Sequence, residues 1–505
     1  MLTGGPFISK IIIFLSPEAG PADFLIKIVI FLHVPKTPKL YSCRRDFDCM
    51  KRLFIILLLV CCLPLSCKSG ENGDPVPTPA ARKTTVHITR NREVCTSRLL
   101  LSTTLTHNTF KYPKNTQAVE RAENLLREGV DCIGQFTMDW GAGNTNPAKD
   151  SYDFRRLDER VRFIHRLDKK VILTLCRCPA WMRRDDPSKG VDAAPRPEMY
   201  KEFAHMAGDF ARHFQSLGLD IYAINVWSET RGYWSSELGR WKLEDYAELY
   251  NQVYDTLKAV NPTILVGGPF MHIESSPKGR YMGNYTGSIS GTDKAALQSF
   301  IENARKLDFF SIDRNLMENA DKSGYPKDEV LRYTVFNSVI HKEIRNLLSE
   351  KFPDIPVWVV DNQCLKGHYD TDVEAAGLAS MLRHHLLGGA AFVDKWQPED
   401  EGKESSDTEQ IAPEGLYTHT DTNNGAQPLP TFFVFKAFRD YFRPGTVILD
   451  SYSGTEWVES LACESGVMLI NKQSKPYEVK LMVDGEPLKT IQLGGFEVKM
   501  ETFDL

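Results

Sequence analysis

The chain has 505 residues, 42% of them apolar and 25% charged, with a formal net charge of −5 and a pI of about 6.2. That composition suits a globular protein, long enough for a barrel of about 250 to 400 residues with something smaller beside it. No strongly basic surface is implied, so nucleic acid is not an expected partner.

The N-terminus is set apart from the fold. From Met50 the chain reads MKRLFIILLLVCCLPLSC. Lys51 and Arg52 form a positive segment, and the apolar run 53–63 is too short to span a bilayer as a mature helix. Ser66-Cys67 closes it like a bacterial lipoprotein cleavage site, with Cys67 as the lipidated residue. Pro64 and Leu65 replace the commoner residues, and plain cleavage without lipidation is the alternative. Residues 50–67 are thus expected to be a signal peptide, and the polar stretch 68–83 a tether. Residues 1–49 then read as an upstream extension from a wrongly chosen start. The rival is a membrane segment, since 8–32 holds two apolar runs, interrupted by Pro17, Glu18, Pro21 and Asp23. The expected location is the outer membrane, contacted only through the lipid anchor.

Residues 84–88 form a lone predicted strand. From about residue 98 short apolar runs alternate with amphipathic helices, the pattern of a parallel sheet. Strand one is expected at 98–105, followed by a helix with Ala118, Val119, Ala122, Leu125 and Leu126 on one face. Strands two and three fall at 130–136 and 170–175. A helix then carries Met199, Phe203, Met206, Phe210 and Phe214 at helical spacing. Strand four is 221–226, with a helix over 243–260. Strand five is 264–267, and a helix at 294–306 leads to strand six, 309–312. One long helix over 329–351 leads to strand seven, 357–360. Strand eight is 390–393, and 432–442 is the last helix. Eight such units close a (β/α)8 TIM barrel over 98–444. Residues 445–505 alternate apolar and polar with turns between, which predicts an antiparallel β-sandwich that residues 84–97 join. The loop 397–428 is long and polar, as functional loops often are. The six cysteines after Cys67 (Cys95, Cys132, Cys176, Cys178, Cys364, Cys463) show neither a zinc ligand set nor a disulfide framework.

In such barrels the chemistry sits at the C-terminal strand ends. There this chain places His107-Asn108, Asp139-Trp140, Arg177 with Trp181, Asn225 with Ser228 and Glu229, Asp313-Arg314-Asn315, Asp361-Asn362, and Asp394 with Trp396. Acids converge with tryptophans and no histidine cluster for a metal accompanies them. Hydrolysing a glycosidic bond needs one carboxylic acid to protonate the leaving oxygen and a second carboxylate to attack or to activate water. Indole rings offer flat apolar faces to a sugar. His384-His385 falls on the helix after strand seven, away from the strand ends.

Five motifs carry a family resemblance: CPAW (178–181), INVWSE (224–229), VGGPF (266–270), DFFSI (308–312) and EGLYTHTDTNNGAQPLPTFFVF (414–435). In order and spacing they resemble the clan of retaining (β/α)8 glycosidases, and most of all glycoside hydrolase family 39, the β-xylosidase and α-L-iduronidase family, over roughly residues 84–505. The resemblance implies Glu229 as general acid/base and Asp361, in VWVVDNQ, as nucleophile. Two departures stand out: Ser228 replaces the usual Asn before the acid/base, which bonds the sugar 2-hydroxyl, and Asp361 replaces the usual Glu. A carboxylate one methylene shorter can serve a sugar bound deeper, activate water and invert, or mark lost catalysis. Asp313 stands near a position often His in relatives.

The sequence therefore predicts hydrolysis of a carbohydrate by Glu229 and Asp361, with His107, Asp139, Trp181, Ser228, Asp313 and Trp396 as substrate contacts. No cofactor or metal is implied. Plainer roles compete: ion pairs of Glu229 with Arg231 or Arg240 and of Asp313 with Arg314 or Lys322, and packing of Trp181 and Trp396 under loops. Trp227 is expected to pack. A catalytically inactive glycan-binding barrel is the second functional reading, and a polysaccharide lyase or transglycosylase the third.

Overall fold

The computed structural model describes residues 8–14, 27–32, 81–106, 115–184, 193–273, 287–318, 327–366, 371–399, 415–421 and 424–503. Cys67, the signal segment, residues 68–80 of the expected tether, His107 and Lys322 lie outside them, while the tether's last two residues, Arg82 and Lys83, belong to a strand. The chain divides into two compact units, residues 1–77 and 78–505. In the first, Ile8–Phe14 (β1) and Lys27–Leu32 (β2) pair antiparallel. Among the described residues no helix is long and apolar enough to cross a membrane.

The second unit holds an eight-stranded closed barrel and a seven-stranded sheet. Arg82–Thr96 (β3) belongs to the sheet and leads into the barrel. The barrel strands are Leu100–Thr104 (β4), Cys132–Phe136 (β5), Lys170–Leu175 (β6) and Ala223–Val226 (β7). A short hairpin, Trp234–Ser235 (β8) with Arg240–Trp241 (β9), follows. Then come Leu265–His272 (β10), Phe309–Glu318 (β11), Val357–Lys366 (β12) and Ala390–Lys395 (β13). All eight pair parallel, and β13 closes on β4.

The period-2 alternation of the strands explains the two layers of core. Cys132, Ile172, Ala223, Phe309, Trp358 and Phe392 point inward and fill the barrel, with Trp358 stacked 3.8 Å from Phe309. Their neighbours Ile133, Val171, Ile224, Phe310, Val359 and Val393 point outward and pack against the helices. Those helices are Thr116–Gly129 (α1), Arg155–Arg166 (α2), Tyr200–Ser216 (α3), Leu243–Val260 (α4), Gly291–Asn303 (α5), Lys327–Val330 (α6), Phe336–Leu348 (α7), Thr371–Leu387 (α8) and Pro430–Tyr441 (α9).

Three expectations need correction. The helix α2 is absent from the predicted elements, because it carries only a short apolar stripe, Leu157, Val161 and Ile164. The single helix expected over 329–351 is broken by a 3-10 turn, Leu331–Val335. There the buried Thr334 hydroxyl bonds Leu331 C=O at 2.9 Å and Ser380 at 2.6 Å, a side-chain competitor to the helical ladder. Third, β10, β11 and β12 run well past Gly267, Ile312 and Val360. Their polar continuations look like loop, yet neighbouring strands still pair with them: Asp313 with Asp361, Arg314 with Asn362, Asn315 with Gln363.

The sheet adds Val447–Ser453 (β14), Val458–Cys463 (β15), Gly466–Asn471 (β16), Tyr477–Val483 (β17), Glu486–Leu493 (β18) and Val498–Thr502 (β19), in the order β18-β17-β3-β14-β15-β16-β19. It encloses its own core, with Val86, Ile88, Leu469, Val479, Leu481 and Ile491 in one cluster. One pair departs from the antiparallel expectation: β3 runs parallel to β17. The strand expected at 84–88 is thus the first half of a 15-residue strand that bridges both halves of the sheet.

Candidate active site

After β7 the backbone turns sharply. Trp227 (φ 74°), Glu229 (φ 50°) and Thr230 (φ 49°) all adopt the left-handed region, which is costly for non-glycine residues. Packing holds the turn in place. The Trp227 ring is buried against Phe203 and Tyr233, and its indole N–H donates to Arg231 C=O at 2.8 Å. Trp227 packs, as expected, and in doing so presents Glu229. Ser228 is buried beside it.

Glu229, Asp313 and Asp361 converge: one carboxylate oxygen from each lies within 4.8 Å of the others. Asp313 and Asp361 face each other in register on β11 and β12. Glu229 Oε1 accepts from Arg231 Nη2 at 2.6 Å and Oε2 from Nε at 3.1 Å. Arg240, the other candidate partner, binds Glu244 instead. Asp313 Oδ2 pairs with His272 Nδ1 at 2.9 Å, while Arg314 turns away to Asn337. The Oδ1 atoms of Asp313 and Asp361 are both buried without a hydrogen-bond partner.

Burial and like charges act together on these carboxyls. Burial, then Asp313, Glu229 and Asp394, hold the Asp361 carboxyl well above the ordinary range, against Lys395. Burial pushes His272 down, but the Asp313 carboxylate prevails and raises it to about 9. Burial raises Asp394 to about 7, although the Thr104 hydroxyl donates to it at 2.9 Å. Lys395 is itself committed to Glu374 at 3.1 Å, both buried.

Asp394 gives a test. Its folded value lies above the ordinary 3.8. It therefore costs no stability at pH below the ordinary value, and an increasing amount as pH rises through about 7. The gap corresponds to at most ~4 kcal/mol. Asp394→Asn keeps an acceptor for Thr104 and removes that cost. Urea unfolding of the variant should show a gain over wild type at pH 8 that shrinks towards pH 4; a pH-independent difference would contradict the assignment.

The remaining predicted contacts separate. Trp396 lies edge-on to Trp140 at 5.2 Å and to Phe136 at 5.8 Å, so the ends of β5 and β13 share an aromatic wall. Trp140 is 38% exposed. Asp139 is held by Arg177 at 2.9 Å, and that guanidinium also lies 5.8 Å from the Trp140 ring. Trp181 packs against the core and gives its indole N–H to Asn146 at 3.1 Å, so its contacts are those of packing under a loop. Sequence reasoning misses His272, because the apolar run of strand five stops five residues short of it; Trp140 and Asp394 stand at strand ends and were open to nomination. His385 bonds Asn362 at 3.1 Å and His341 at 2.8 Å behind β12. Burial, then Arg345 and Arg314, lowers His341 to about 3, and burial, then His341 and Arg314, holds His385 well below the ordinary value.

Solved structures share this architecture. The structures below, all of glycoside hydrolases, have a fold similar to this one. An endo-β-1,6-glucanase structure aligns over 83% of this chain and 94% of its own, at 15% identity and a TM-score of 0.54. A family 30 endoxylanase from Clostridium papyrosolvens aligns over 82% and 98%, at 13% identity and 0.51. A family 39 enzyme from Xanthomonas axonopodis pv. citri aligns over 85% and 96%, at 13% identity and 0.51. At such identities the likeness is one of fold, shared between families 30 and 39 and singling out neither. No family model matches the sequence, and no curated protein does.

Proposed function

We propose that the chain is a glycoside hydrolase that cleaves O-glycosidic bonds of a poly- or oligosaccharide, with Glu229 as general acid/base and Asp361 as nucleophile. The observation that carries it is the meeting of Glu229, just after β7, with Asp313 on β11 and Asp361 on β12, one carboxylate oxygen of each within 4.8 Å of the others. Spacing of that order supports retention, for which carboxyl groups stand ~5–5.5 Å apart, rather than inversion at ~6.5–9.5 Å. The Trp140–Trp396 wall supplies an apolar face for a sugar ring. Glu229 must leave Arg231 before it can give up a proton; the Arg231 side chain is 41% exposed, and an ion pair that wet is weak. The family 39 likeness and display from an outer membrane through a lipid on Cys67 belong to the same proposal.

A second reading has its own support. Asp361 is short, and burial with its neighbouring acids disfavours its charged form, as suits a barrel that binds glycans without cleaving them. A panel of plant and host glycans, assayed with wild type and Glu229→Gln, separates the two. The hydrolase reading expects turnover that falls ~10²–10⁴-fold in the variant; binding without Glu229-dependent turnover supports the second. Proton NMR of the first-formed anomer should show retained configuration, and the opposite anomer would assign Asp361 to water activation.

A further inference from the structure

The three clustered acids are short of cations. Arg231 serves Glu229, His272 serves Asp313, Arg177 serves Asp139 and Lys395 serves Glu374. Among the described residues Asp361 has no ion-pair partner, and two carboxylate oxygens, Asp313 Oδ1 and Asp361 Oδ1, are buried with nothing to accept from. Asp313 is 3% exposed, so bulk water does not satisfy it. Buried acceptors of this kind are costly unless a ligand supplies donors. What three clustered carboxylates ask for is one compact group with several donors and a positive charge.

An ammonium meets those terms. It has three N–H donors in tetrahedral directions. Acceptors about 2.8 Å from a common nitrogen in those directions stand about 4.6 Å apart. The three carboxylates lie within 4.8 Å of one another. A sugar hydroxyl offers a single donor and no charge, so it serves at most one of these oxygens and does not offset the negative charge that the acids share. We infer that the sugar bound beside Asp361 carries a protonated amine, on the carbon next to the anomeric centre, held by Asp361 and Asp313. The position rests on the nucleophile role proposed above: an Asp361 that attacks the anomeric carbon stands next to the substituent on the adjacent carbon, on the side where its register partner Asp313 lies. The inference rests on the hydrolase reading and narrows its substrate to glycans of 2-amino-2-deoxy sugars.

The same contact has a consequence for Asp361. The groups that face it are Asp313 on β11, Glu229 after β7, and Asp394 and Lys395 on β13; burial and then the three acids disfavour its charge, and Lys395 opposes them. A cation placed among them reverses the balance, and the proton leaves to water. A neutral sugar lacks that effect. The substrate amine thereby favours the ionised form of the carboxylate that has to attack the neighbouring anomeric carbon.

Calorimetry on the full chain at pH 6 tests this with free glucosamine, galactosamine and mannosamine, each against its parent hexose. Free sugars present both anomers, so the unknown linkage does not matter. At least one amine should bind ten-fold or more tighter than its hexose, with proton release seen as heat that changes with the buffer's ionisation enthalpy. Both effects should vanish in Asp361→Asn, and the preference should also fall ten-fold in Asp313→Asn, a variant that keeps the shape should the first fail to fold. Equal binding of amines and hexoses, or a preference that survives both variants, overturns the inference. So does calcium binding that needs both aspartates while no amine binds, which would make the cluster an inorganic cation site. Glu229-dependent hydrolysis of neutral aryl glycosides without amine preference leaves the hydrolase reading standing and sinks this one. Amine preference without any turnover does the reverse.

Discussion

Asp361→Asn is expected to lower turnover of a cleaved glycan by on the order of 10³-fold or more while leaving the fold intact. The variant keeps the volume of the side chain and removes only the charge that attacks. In the native site burial and three neighbouring acids already disfavour that charge, so an uncharged amide is well tolerated there and the thermal midpoint should not fall. Asp361→Glu asks a different question. The longer side chain pushes its carboxyl towards Asp313 and Glu229, which already crowd within 4.8 Å. A misplacement of ~1 Å costs ~100-fold, so loss of that size is expected even though Glu is the commoner residue in the resembling family. Exogenous azide provides the decisive readout. With Asp361→Ala, azide should restore part of the rate and yield a glycosyl azide if Asp361 is the nucleophile. An unchanged rate in Asp361→Asn would remove Asp361 from the chemistry.

Glu459→Gln is expected to cost about 3–5 kcal/mol of stability, because it strips one partner from a buried ion cluster. Glu459, on β15 of the sheet, receives Lys472 Nζ at 2.8 Å and His384 Nε2 at 2.9 Å on Oε1, and the Ser380 hydroxyl at 2.6 Å on Oε2. His384 and Ser380 belong to α8 of the barrel, and Ser380 continues to Thr334. The carboxylate therefore ties sheet to barrel, and without it Lys472, 2% exposed, is buried unpaired. Burial pushes Glu459 up, but Lys472 and His384 prevail and hold it well below 4.5. Its contribution is then fully present above the ordinary carboxylate value and is lost as pH falls through the depressed one. Urea unfolding at pH 7 should show the full loss in Glu459→Gln, and the difference from wild type should shrink towards pH 3. A loss below about 1 kcal/mol would mean the cluster is not a net tie.

Much of this architecture could be read from residue order alone. The eight strand cores and most helices follow from periodicity, because a strand buried on both faces leaves an apolar run and an outer helix leaves a stripe at 3.6 spacing. Glu229 and Asp361 could be nominated because barrel chemistry is confined to strand ends. The break in the helix at 331–335 could not be read this way. Thr334 interrupts the helical ladder there with its hydroxyl bonded to Ser380, which belongs to another helix.

What the tertiary structure alone decided is pairing across distant segments. The continuation of β10 to β12 through His272, Asp313 and Asp361 depends on hydrogen bonds from neighbouring strands, which no local pattern encodes. The partner of Asp313 is His272 rather than its neighbour Arg314, since alternation sends adjacent residues to opposite faces of a strand. Protonation is likewise a collective property: the Asp361 carboxyl is raised by burial and by Asp313, Glu229 and Asp394, each contributed by a different barrel unit. Residue types and spacing thus determined the scaffold and the candidate acids, and closure of the barrel determined their charges and partners, because a field depends on distance in space and not along the chain.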